Sequence, residues 1–130
     1  MRAALRCLAL LLVLGEAHAA VAPETVVAGR LGPVSVYAPA DAPESLVVLI
    51  AGEGGWDREA DDLARQLQGW GALVAGVDGP GYAEALRRPG GACSDLTPDL
   101  LELARTLGKH TPLPPRPILI GYGAGAALVY

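Results

Sequence analysis

The chain has 130 residues, of which 52% are hydrophobic and 18% charged, and its formal net charge is −4. This composition is that of one globular domain, and it excludes a disordered or fibrous chain. An acidic chain also lacks the basic face with which nucleic-acid-binding proteins displace counterions, so we expect no nucleic-acid partner.

The first residues have the three parts of a secretory signal peptide. Arg2 and Arg6 form a positive region, residues 7–14 form a short apolar run, and Ala17-His18-Ala19 is an A-x-A cleavage site. An uncleaved membrane anchor is the alternative, but the apolar run is shorter than the roughly 20 residues that span a bilayer. We predict that residues 1–19 are removed and that the protein is exported to the periplasm or secreted.

Residues 20–130 are predicted to form part of an α/β domain, because short apolar runs alternate with helical periodicity. Asp57 and Thr97 are predicted helix N-caps, and the Gly- and Pro-rich segment from Gly79 to Cys93 is predicted to be a loop. Trp56 and Trp70 are expected to pack in the core or against helices. The predicted strands are 25–28 and 33–37, which form an amino-terminal hairpin, and then 45–51, 72–77 and 118–120. The expected architecture is a doubly wound, mostly parallel sheet.

The segment Pro117–Tyr130 is predicted to be a strand, a sharp turn and the start of a helix. Its pattern Gly121-x-Gly123-x-Gly125 has the frame of the nucleophile elbow of α/β-hydrolases, G-x-S-x-G. The central position is Gly123, which has no side chain to attack a substrate. We therefore expect an α/β-hydrolase-like domain in which this position has lost its chemistry.

Backbone amides near the elbow are candidates for holding an anion. In esterases the oxyanion is bound by the amide after the nucleophile and by an amide in the loop after an early strand. The first corresponds to Ala124, and the second lies in the loop that contains Gly54, Gly55 and Trp56. The alternative is that the two glycines only form a tight strand-to-helix turn.

The remaining members of a triad are not apparent in this chain. The order in this fold is nucleophile, acid, histidine, and no histidine follows Gly123. His110 lies in a proline-rich linker and is expected to be a solvated loop residue. Asp78 follows a predicted central strand, where it could face a site or cap a loop. The apolar helix that starts before Tyr130 has no cap, so we expect the domain to be incomplete at its carboxyl end.

A dinucleotide site is a second interpretation. Gly121-x-Gly123-x-x-Ala126 matches the G-x-G-x-x-G/A fingerprint, and Gly52-x-Gly54 followed by Asp78 matches it more loosely. The first has no following strand and acid, and the second has no third small residue. We expect no cofactor and no metal.

Three stretches together resemble the bacterial VirJ/AcvB virulence-protein family: residues 49–56, 71–78 and 120–130. The resemblance implies a periplasmic, serine-hydrolase-like protein associated with virulence, with secretion-system proteins as partners. It also implies aminoacylated phospholipid esters as the substrate class, and the expected ligand is such a phospholipid ester or another anionic molecule. Family members usually have serine where this chain has Gly123, which favours a binding or scaffolding role over the alternative of an active esterase. The resemblance also implies a disulfide between Cys93 and a cysteine beyond Tyr130.

Overall fold

The computed structural model describes residues 21–87 and 94–130. The predicted signal peptide, Cys93 and the end of the predicted loop lie outside the described residues. The described strands are β1 (Glu24–Val27), β2 (Pro33–Tyr37), β3 (Ser45–Ile50), β4 (Ala72–Val77) and β5 (Ile118–Gly121). The helices are α1 (Arg58–Gly69), α2 (Gly79–Leu86), α3 (Thr97–Gly108) and α4 (Ala126–Val129), with short 3-10 turns at Gly29–Leu31 and Gly123–Gly125. No helix in these two ranges is long and apolar enough to cross a bilayer.

The five strands form one mixed sheet in the order β1-β2-β4-β3-β5. The pairs β1–β2 and β2–β4 are antiparallel, whereas β3 pairs in parallel with both β4 and β5. Only β2 therefore runs against the other four strands. The carboxyl ends of β3, β4 and β5 meet at one edge, and this brings the loop after β3, Asp78 and the elbow together.

The core lies on both faces of the central strands. Val48 and Ile50 of β3 belong to the cluster under α2 and α3, while Val47 and Leu49 belong to the cluster under α1. All six residues of β4 are buried. Continuous apolar runs form such strands because both faces are covered, and each large side chain that becomes fully buried contributes about 1.5–3 kcal/mol.

The segment predicted to be a loop after Asp78 begins instead with helix α2. The Asp78 carboxylate accepts a hydrogen bond from the amide of Gly81 at 2.9 Å, and Pro80 lies in the first turn, where its missing N–H costs nothing. Tyr82 and Leu86 bury their side chains in the core from this helix. The high content of Gly and Pro led to the prediction of a loop. The segment forms a helix because Asp78 caps it and its apolar side chains pack in the core.

Two smaller predictions also need correction. The N-cap of α3 is Leu96 rather than Thr97, and the Asp95 side chain accepts a hydrogen bond from the Thr97 amide. Trp70 does not pack in the core, since it is 73% exposed. Trp70 follows the last residue of α1, and its side chain does not continue the buried face of that helix. By contrast, Asp57 caps α1 as predicted, accepting a hydrogen bond from the Ala60 amide.

Candidate functional site

The elbow has the geometry that its glycines predict. Gly123 has a φ of +57°, a left-handed conformation that costs other residues about 1–2 kcal/mol. Its two flanking glycines are required by close packing. A Cβ atom at Gly121 would collide with the backbone of Ala126, and one at Gly125 would collide with the carbonyl oxygen of Ile50. The frame G-x-G-x-G therefore folds the turn tightly against β3 and the following helix.

The loop after β3 lies directly against the elbow. A Cβ atom at Gly52 would come within 2.8 Å of the Tyr122 carbonyl oxygen, and one at Gly123 would come within 3.5 Å of the Gly52 Cα atom. The fold thus brings together the two segments that contain the predicted anion-binding amides, which lie about 70 residues apart in the sequence.

Several of the predicted amides already have partners within the protein. The amide of Gly55, whose φ is +71°, donates to the Gly52 carbonyl at 3.0 Å in a turn. The Trp56 amide donates to Asp78 Oδ1 at 3.1 Å. The Ala124 amide lies 3.5 Å from Glu53 Oε2, which is the outer limit of a hydrogen bond. At the Trp56 and Ala124 amides, a bound anion would therefore have to replace a carboxylate of the protein itself.

Trp56 fixes this loop to the sheet. Its indole Nε1 donates to the Tyr37 hydroxyl at 3.1 Å, and its ring lies over Gly76 of β4, where any side chain would collide with it. The Tyr37 hydroxyl in turn donates to Asp61 Oδ1 at 2.5 Å. Burial, together with this bond to Asp61, raises the pKa of Tyr37 to about 12. Trp56 is thus a packing residue, as predicted, and it positions the loop.

Glu53 is the residue that sequence reasoning missed. A Cβ atom at Gly123 would lie 3.0 Å from Glu53 Oε2, so this carboxylate lies beside the position where a nucleophile would be attached. Tyr122 also donates to a carboxylate, that of Glu59 on α1, and this hydrogen bond raises the pKa of Tyr122. The only local signal was the acidic residue between two glycines at the end of a strand, and a glycine-rich turn explains that equally well.

The other candidates lie elsewhere or have structural partners. Asp78 is at the edge of the sheet that carries the elbow, but its two carboxylate oxygens accept hydrogen bonds from the amides of Trp56 and Gly81. His110 is exposed and precedes β5, so it lies toward the opposite edge from Gly123. Within residues 21–87 and 94–130, no group of His, Cys, Asp and Glu side chains is arranged to hold a metal ion.

A cavity of about 430 Å³ opens beside the elbow. Its walls come from the loop after β3, the first turns of α2, the elbow turn and α4, and they are mostly apolar. Among the described residues of the lining, Glu53 is the one that is charged, and the others are Ala51, Gly52, Gly79, Pro80, Ala83, Ala124, Gly125, Ala127 and Leu128. A cavity of this volume can enclose a small ligand or part of a larger one.

The mostly parallel sheet, the glycine loop after β3 and the elbow after β5 define a partial α/β-hydrolase-like fold. The chain belongs to the bacterial virulence protein (VirJ) family, because the sequence model of that family matches residues 44–130. No curated protein matches the chain. Among solved structures it is similar to a lipase in its open form, with 18% sequence identity and a TM-score of 0.48. That match covers 78% of this chain, which spans 36% of the lipase.

Proposed function

We propose that this virulence-associated, hydrolase-like chain is a periplasmic domain that binds a lipid ester without hydrolysing it. The observation that carries the proposal is Gly123 at the centre of the elbow, with a φ of +57° and no side chain. Serine at this position would supply the attacking oxygen of an esterase. Without that oxygen, the elbow can contribute shape and backbone donors but cannot form an acyl-enzyme.

The cavity beside the elbow supports binding of an apolar chain. Its apolar walls suit the acyl part of a phospholipid ester, and it opens next to the elbow, where the ester group would lie. The amides of Gly54, Gly55, Trp56 and Ala124 remain the candidates for contacting an ester oxygen or another anionic group. Binding would require Glu53 to move away from the Ala124 amide.

An active esterase on aminoacyl-phospholipid-type esters is the second candidate, and one observation favours it. Glu53 Oε2 lies beside the position of the missing nucleophile. A water held there could lose a proton to Glu53 and attack the ester carbonyl, and the proton would then pass to the leaving alcohol. The exposure of Glu53 argues against this role, because an exposed side chain does not hold a water molecule in the fixed position that attack on an ester requires.

Hydrolysis and binding by the full-length protein separate the two candidates. The substrates are vesicles that contain an aminoacyl-phospholipid and a simple soluble acyl ester, and the binding probe is a non-hydrolysable ether analogue of the lipid. We expect saturable binding of the analogue by the wild type and no turnover above that of buffer. Turnover that is lost in Glu53→Gln would establish the esterase instead.

Two substitutions at the elbow test whether the rest of the machinery persists. Gly123→Ser adds a nucleophile, and Gly123→Ala is its matched control because it adds the same Cβ atom without the hydroxyl. A gain of hydrolysis in Gly123→Ser alone would mean that the protein lacks only its nucleophile. No gain in either variant, with binding retained, supports a binding or scaffolding role. Absence of both binding and turnover refutes the proposal.

The periplasmic location and the partners rest on the sequence. Export is tested by fractionating cells and sequencing the mature amino terminus, which we expect to begin at Ala20. Secretion-system proteins remain proposed partners, to be tested by crosslinking in intact cells. The proposed Cys93 disulfide is tested by mass spectrometry of the full-length protein with and without a reductant. A free Cys93 thiol in the exported protein would contradict it.

A further inference from the structure

A second cavity lies at the opposite edge of the sheet from the elbow. It is an open groove of about 600 Å³ between residues 38–44, which lead into β3, and residues 69–71, which lead into β4. Because β3 and β4 are parallel and begin here, this groove is separated from Gly123 by the length of the strands. We call it the Trp70 groove. Occupation of this groove would not compete with a ligand at the elbow.

Trp70 is held in an exposed position by the end of α1. Its amide donates to the carbonyls of Gln66 and Leu67, and the next residue, Gly71, turns the chain away with a φ of +84°. The side chain is 73% exposed. An exposed indole that borders a groove is a feature of interaction sites, since burying it against a partner removes a large apolar surface from water.

The two walls of the groove are tied to each other. The Gln68 side chain donates to the Ala38 carbonyl at 2.7 Å, and the Glu44 amide donates to the Gly71 carbonyl at 2.9 Å. Gln68 is itself buried. The groove is therefore formed before any partner arrives, and binding would require little ordering of the chain.

The charge of the groove is negative. Asp41 and Glu44 are exposed residues of its lining, and neither belongs to an ion pair within the described ranges. Arg65, the basic residue in the described part of the lining, is already bound to Asp61 at 2.8 Å and lies over the Tyr37 ring. A cation brought over the Trp70 indole would face carboxylates and the negative face of the ring together.

We propose that the Trp70 groove binds a basic segment of a partner protein, with an arginine or lysine side chain over the indole and its charge facing Glu44. The apolar stem of such a side chain would pack against Pro39 and the neighbouring loop. The open shape of the groove suits a side chain presented by a polypeptide better than a small free cation, which would need enclosure to be held.

The test is selection of a random peptide library displayed on phage against the full-length protein. We expect the enriched peptides to contain arginine or lysine, and their affinity to fall as salt is raised. Dissociation constants of an enriched peptide are then measured with variants. Trp70→Ala and Glu44→Gln should each weaken binding roughly two- to fivefold, the range expected for an exposed cation–π contact or charge pair.

Two variants serve as matched controls. Leu101→Ala removes another exposed apolar side chain, on α3, and Glu24→Gln removes another exposed carboxylate, on β1; both should leave the affinity unchanged. The proposal is overturned if no peptide is enriched, if the enriched peptides lack basic residues, or if Trp70→Ala binds them as the wild type does. Each result is independent of lipid binding at the elbow.

Discussion

The indole ring of Trp56 lies directly over the Cα atom of Gly76, so any side chain at residue 76 would collide with it. This contact joins two stretches of sequence that are both matched by the virulence-protein family. Trp56 belongs to the loop after β3, and its ring occupies the space left by the missing side chain of Gly76 on β4. The position of the loop against the elbow therefore depends on a glycine in the middle of a neighbouring strand.

Gly76→Ala is the first prediction. The added methyl group would displace the Trp56 ring, and such overpacking costs about 1–3 kcal/mol of the free energy of unfolding. The measurement is urea-induced unfolding of the full-length protein. Gly69→Ala is the matched control, because a Cβ atom at Gly69 meets nothing within 4 Å. Equal stabilities of the two variants would contradict the packing of Trp56 on Gly76.

Asp78→Ala is expected to loosen the loop after β3. It removes the acceptor of the Trp56 and Gly81 amides, and each lost hydrogen bond to a charged group costs about 1.5–3 kcal/mol. Hydrogen exchange should become faster at the Trp56 amide. Asp62→Ala is the control, since Asp62 forms an exposed ion pair with Arg58 on α1 and no other ion pair within residues 21–87 and 94–130. Unchanged protection of the Trp56 amide would mean that Asp78 does not hold the loop.

The third prediction concerns alkaline pH. The folded protein holds the proton of Tyr37 up to a pKa of about 12, whereas the unfolded chain loses it near the ordinary value of 10.0. The unfolded state therefore binds fewer protons in this window, so the contribution of Tyr37 to stability is present below pH 10 and lost as the pH rises toward 12. The stability advantage of the wild type over Tyr37→Phe should shrink across this range. A difference in stability between the wild type and Tyr37→Phe that stays constant with pH would contradict the raised pKa of Tyr37.

Tyr82→Phe tests the cluster that joins α2 and α3. The buried Tyr82 hydroxyl donates to Asp99 Oδ2 at 2.7 Å, and Arg30 holds the same carboxylate from the turn after β1. Loss of the hydroxyl removes a hydrogen bond to a charged group, which costs about 1.5–3 kcal/mol in urea unfolding. Tyr130→Phe is the control, because Tyr130 is fully exposed. If both substitutions have the same small effect, the cluster does not stabilise the fold.

Local signals predicted most of the elements correctly. The apolar runs of β3 and β4, the cap at Asp57 and the small-residue frame around Gly123 each lie within one short segment, and each was found from that segment. The prediction failed where distant parts of the chain compensate for poor local propensity. Helix α2 begins with Gly79-Pro80-Gly81, yet it forms because Asp78 caps it and because Tyr82 and Leu86 are buried.

The sequence by itself determined the strand-turn-helix at the elbow and the absence of a side chain at Gly123, because both depend on consecutive residues. Only the tertiary structure decided what surrounds that position. Glu53 reaches the Ala124 amide across 71 residues of chain, and Trp56 packs on a glycine of another strand. Trp70 has the helical spacing of a core residue but lies in solvent, since the chain turns away at Gly71. Contacts between residues so far apart are set by the packing of whole elements, and no local pattern encodes them.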